Sequence, residues 1–83
     1  RTGGTTVQLA ALPTRAAAEA EWQHLRQRMP GLLAGHQLVL AQATVAGRVW
    51  WRVRTAGFSG AAQARSFCAR MRAAGGACDV TPF

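Results

Sequence analysis

Eighty-three residues suffice for one small domain and leave no room for a second. A composition of 49% hydrophobic and 16% charged residues excludes a disordered tail, and no apolar run approaches the roughly 20 residues of a bilayer-spanning helix. Ten basic residues, all Arg, against three acids give a net charge of +7, which suits a polyanion such as nucleic acid, an acidic membrane surface or an anionic polymer; a plain bias toward Ala and Arg is the competing explanation.

In chain order, Thr5 to Leu12 alternates with period two, Val7, Leu9 and Ala11 on one side and Thr6, Gln8 and Ala10 on the other, and reads as a strand. Pro13-Thr14 supplies a break and an N-cap for a helix over Arg15–Met29, whose stripe is Ala18, Trp22, Leu25 and Met29. Pro30-Gly31 ends that helix, and Leu32 to Gly35 reads as a linker. Gln37–Ala46 and Arg48–Ala56 form two strands of a hairpin turning at Ala46-Gly47. Ser59 is placed to cap a second helix over Gly60–Ala74, with Ala64, Phe67, Cys68 and Met71 as its stripe. Gly75-Gly76 terminates it, and Ala77–Pro82 is a last short strand.

The order β-α-β-β-α-β predicts an α+β domain, core about residues 5–82, with a four-stranded antiparallel sheet and both helices on one face. Alternation then assigns the other, open face. On the third strand Val49, Trp51, Val53 and Thr55 share the helix side, which sends Trp50, Arg52 and Arg54 to the open side. By the same rule Gln8 faces out on the first strand, and Asp79 and Thr81 on the last, with Cys78 and Val80 inward.

The inventory of reactive groups argues against an enzyme. Glu19 and Glu21 are two apart on a helix and diverge, which makes a poor acid–base pair. Two His and two Cys show no CxxC or HxxxH spacing, so neither a metal nor another cofactor is expected. A Cys–His nucleophile drawing on His24 or His36 is formally available, but one Cys lies in an apolar helical stripe and the other in a strand.

Two constellations remain. An indole, two guanidiniums and a carboxamide on an open sheet suit a flat or ring-shaped ligand: a nucleobase by stacking, or a sugar resting its C–H face on the indole. The plainer alternative is a Trp50 tucked against the edge of the core with solvated Arg side chains. Cys68 and Cys78, ten apart, face one layer, so a disulfide is geometrically reasonable and would mark an oxidising compartment such as the bacterial periplasm. Two reduced core cysteines are the alternative.

Val7-Gln8-Leu9 before a small-residue turn and an Ala-rich helix, then Arg52-Val53-Arg54, Gly57-Phe58-Ser59 opening a helix that ends Ala73-Ala74-Gly75-Gly76, and Cys78 in a last strand, together resemble the SPOR (sporulation-related repeat) domain. The resemblance covers roughly Thr5 to Val80. It implies the same β-α-β-β-α-β fold and binding to peptidoglycan glycan strands stripped of their stem peptides, at division septa, in the periplasm or envelope of a bacterium. It implies further a monomeric module at the C-terminus of a longer protein, with any membrane anchor outside this chain. In the family the glycan lies on the open sheet face, and the positions carried over by motif are Gln8, Trp50, Arg52 and Asp79; alternation adds Arg54. Two departures stand out: Ala10-Ala11-Leu12 replaces a frequent Gly-Ser-Phe, removing a hydroxyl at Ala11, and Ala56-Gly57 replaces Gly-Pro.

An RRM-type nucleic-acid-binding domain is the alternative, since it shares the strand order, the open aromatic sheet and the basic charge. It lacks support from an RNP1-like run, and only one exposed ring is expected rather than two or three. A protein-interaction module is the third reading.

Overall fold

The structure is a computed structural model and describes residues 5–82. Period-two alternation builds β1 (Thr5–Leu12), and Thr14 then caps α1 (Arg15–Arg28), its hydroxyl accepting from the Ala17 N–H at 3.1 Å. Met29 breaks the ladder, and Pro30 opens a one-turn α2 (Pro30–Leu33) where a linker was expected. A proline fits this first position because its missing N–H would have no helical partner anyway. β2 (Leu38–Val45) and β3 (Arg48–Thr55) follow, then α3 (Ala61–Ala73) and a shorter last strand than expected, β4 (Asp79–Pro82).

The sheet is antiparallel throughout in the order β2-β3-β1-β4. Val7 and Leu9 of β1 and Val53 of β3 meet Ala18, Trp22 and Leu25 of α1 and Ala64, Phe67, Cys68 and Met71 of α3, all buried. Both predicted helical stripes are therefore the core, and the layer order is helices over one sheet face. Burying one such aromatic or aliphatic side chain contributes about 1.5–3 kcal/mol. Cys68 and Cys78 are joined in a disulfide, Cα atoms 5.1 Å apart, which ties α3 to the start of β4.

Four local features differ from the sequence reading. First, β1 carries a bulge between Gln8 and Ala10: Gln8 sits opposite Arg54 but Ala10 opposite Val53. An extra residue reverses the alternation beyond it, so Leu12, opposite Trp51, packs toward the core, and Ala11, opposite Arg52, moves to the open face. Second, Ser59 is not the cap of α3. Gly60 occupies that position without a side-chain bond, and the Gln63 carboxamide instead reaches back to accept from the Ser59 N–H. Third, Val49 lies on the helix side yet is 41% exposed, because the hairpin tip runs past the helices. Fourth, Val80 sits opposite buried Val7 but remains 36% exposed at the sheet margin.

Two turns are set by backbone sign. Ala46 and Gly47 both have positive φ, 52° and 77°, the type I′ arrangement that matches strand twist in a two-residue hairpin. At the end of α3, Gly75 (φ 94°) allows the chain to reverse: its N–H donates to the Arg72 carbonyl and that of Gly76 to the Met71 carbonyl, each at 3.0 Å. This is the Schellman pattern, and it satisfies two carbonyls that the helix leaves free.

Candidate functional site on the open sheet face

Residues paired across antiparallel strands share a face, so the register defines the uncovered surface. Its spine is β3, where Arg48, Trp50, Arg52 and Arg54 project on the side away from the helices. Across β1, Arg54 stands opposite Gln8, and Gln8 opposite Asp79 of β4; Arg52 stands opposite Ala11. On the other flank β2 offers only Val39, Ala41, Ala43 and Val45, opposite Arg54, Arg52, Trp50 and Arg48 in turn. All five residues expected on this face, Gln8, Trp50, Arg52, Arg54 and Asp79, are on it.

The side chains are organised rather than merely co-facing. The Arg54 Nε–H donates to Gln8 Oε1 at 3.1 Å, which fixes the carboxamide orientation and leaves the two N–H donors of its NH₂ unused by this bond. The Arg48 guanidinium carbon lies 5.4 Å from the centroid of the Trp50 ring, within cation–π range. Arg48 was not singled out from the sequence, although its position two before Trp50 on one strand was signal enough. The Trp50 platform is thus bounded by a cation on one side and by Arg52 on the other. Thr6 and Thr81 close the β1–β4 margin with hydroxyl oxygens 2.8 Å apart.

Trp51 turns to the helix side as expected, half-buried, with the Arg15 guanidinium of α1 6.0 Å from its ring centroid. Arg15 also makes the single ion pair among the described residues, with Glu19 at 3.3 Å. Neither cysteine is a free thiol, and His36 is engaged structurally, its Nδ1 3.0 Å from the Ala56 carbonyl and its ring against Phe58 and Phe67 at 5.1 Å from each. Among the described residues no group of three or more His, Cys, Asp and Glu is gathered that would hold a metal. A groove of about 400 Å³ between the end of α1 and His36 lies away from the open face; that face is shallow and suited to an extended ligand lying across it.

An α+β domain with helices on one side of its sheet and a polar, aromatic ladder on the other has the architecture of a binding module. The sequence profile of the SPOR domain matches residues 2–81, and the chain belongs to that family. The solution structure of the peptidoglycan binding domain of the B. subtilis cell wall lytic enzyme CwlC shares the fold, with a TM-score of 0.66 at 20% identity over 100% of this chain and 92% of that one. Comparison with curated protein sequences returns no match.

Proposed function

We propose that this domain is a non-catalytic module that binds peptidoglycan in the bacterial cell envelope, taking glycan strands stripped of stem peptides on its open sheet face and so localising to the division septum from the periplasm. The observation that carries the reading is the Arg48–Trp50–Arg52–Arg54 ladder with Gln8 fixed beside it. A pyranose presents an apolar C–H face and a rim of hydroxyls; the indole takes the first, and guanidinium and carboxamide groups take the second. SPOR membership supports peptidoglycan as the polymer. The Cys68–Cys78 disulfide agrees with an oxidising compartment.

In this reading Trp50 is the platform, Gln8 and Arg52 are hydrogen-bonding arms, Arg54 holds Gln8 in place, and Asp79 borders the site from β4. The test is co-sedimentation with purified sacculi before and after an amidase removes the stem peptides. Stronger retention after amidase treatment is expected. Equal retention would remove the preference for bare glycan, and no retention on either would overturn the reading.

A further inference from the structure

The order β2-β3-β1-β4 leaves two edges, and they are built differently. β4 is four residues long, carries Asp79 and ends in Pro82, the usual devices that keep an edge from pairing. β2 has none of them. It runs eight residues, Leu38–Val45, without a charge or a proline in a chain of net charge +7, and its register with β3 is unbroken from one end to the other. Its outer row of N–H and C=O groups is a template for another strand.

We propose that the β2 edge is a second binding site, which takes an extended acidic peptide as a fifth, antiparallel strand. Charge selects this occupant over a second copy of the chain, since two copies bring +7 each to the same contact. On the open face β2 presents Ala41 and Ala43, short side chains that leave Arg52 and Trp50 of β3 overlooking the edge. An added strand would lie about 10 Å from β3, so carboxylates on its open-face side meet Arg52 across Ala41 and Arg48 across Val45. The start of β2 opens on a groove of about 210 Å³ lined by Gly35, Gln37, Val39, Ala56 and Gly57. For an antiparallel strand this groove receives the C-terminal side chain, which is then best apolar. Backbone bonding supplies affinity, and the alternate acids and the terminal anchor supply specificity. The inference does not rest on the glycan reading, because the β2 backbone edge and the groove carry it, although Arg48 and Arg52 are shared with the glycan face.

The probe is the synthetic peptide Thr-Glu-Val-Glu-Val-Glu-Val-Leu, followed by amide chemical shifts and hydrogen exchange of the labelled domain. The expected result is slowed exchange along Leu38–Val45 and shifts confined to that strand, the groove, and Arg48 and Arg52 of β3 facing it. Two N-methylated versions of the peptide carry the decisive contrast, each blocking one alternate set of amides. Only one set points at β2, so one version should lose about tenfold or more in affinity while the other binds like the parent. A peptide with Lys in place of Glu should not bind. Equal loss from both methylated versions would reduce the effect to charge attraction and overturn the proposal. So would shifts away from β2, the groove and those two arginines, no binding, or concentration-dependent shifts of β2 without peptide, which would make the occupant a second copy. Sacculus binding is measured separately, so failure here leaves the glycan reading standing and the reverse.

Discussion

The two adjacent tryptophans perform different tasks because consecutive residues of a strand face opposite ways. Trp50 stands on the uncovered side with Arg48 over its ring, while Trp51 lies opposite Leu12 on the helix side under Arg15. Trp50→Ala should cost about 1–3 kcal/mol of glycan affinity, by analogy with base stacking on aromatic rings, and leave the melting temperature near that of the parent. Trp51→Ala should lower stability by about 1–3 kcal/mol through lost apolar burial and reduce binding only as far as folding is reduced. Sedimentation with sacculi and thermal melts of both variants make the comparison. A Trp50→Ala protein that binds like the parent beside a stable Trp51→Ala protein that does not would reverse the two faces. Gln8 is subtler: its carboxamide is held by Arg54, so Arg54→Gln should weaken binding by freeing Gln8 even if the guanidinium touches no sugar.

At the scale of elements, the hairpin turn is a place where this sequence is not at its optimum. Ala46 is held at φ 52°, a left-handed conformation that costs a residue with a Cβ about 1–2 kcal/mol. Asparagine tolerates it better and is favoured before Gly in type I′ turns. Ala46→Asn should therefore stabilise the domain by about 0.5–1 kcal/mol, whereas Gly75→Ala at φ 94° should destabilise it by about 1–2 kcal/mol. Chemical denaturation of each checks the signs, and a stabilised Gly75→Ala would contradict the cap geometry. These turns were readable in advance because glycine marks them. The strands and the helical stripes were equally readable, since Ala18-Trp22-Leu25 and Ala64-Phe67-Met71 leave only one amphipathic solution. The bulge at Gln8–Ala10 was not: Ala10 and Ala11 are chemically alike, so nothing in their order says where one residue is extra. The capping of α3 was missed for a related reason. Ser59 looks like a cap by type, but the bond is made backwards by Gln63, and local propensity cannot choose between two residues that both suit the task. On the site, alternation alone brought Gln8, Trp50, Arg52, Arg54 and Asp79 to one face. The stacking of Arg48 on Trp50 and the bond from Arg54 to Gln8 depend on rotamers that alternation does not specify.

Across the whole molecule, net charge and ligand chemistry pull apart in a measurable way. A chain with ten Arg and three acids attracts any polyanion nonspecifically, so retention on sacculi by itself does not separate recognition from attraction. Salt does. If the Arg48–Arg52–Arg54 side of the ladder were made for phosphates, three contacts to a single strand would give a log–log slope near −2.1, a loss on the order of 20-fold between about 50 and 200 mM salt. Stacking on Trp50 and hydrogen bonds to neutral hydroxyls involve little counterion release. Binding to amidase-treated sacculi should accordingly fall by no more than about threefold over the same range. The measurement is paired with a single-stranded oligonucleotide under identical conditions, where residual binding should collapse with salt. Parallel steep slopes for both ligands would mark the open face as an electrostatic surface and favour the nucleic-acid reading that the strand order also permits. A shallow slope for glycan that becomes steeper in Trp50→Ala would show the indole supplying the salt-independent part, with charge left to act alone once the ring is gone.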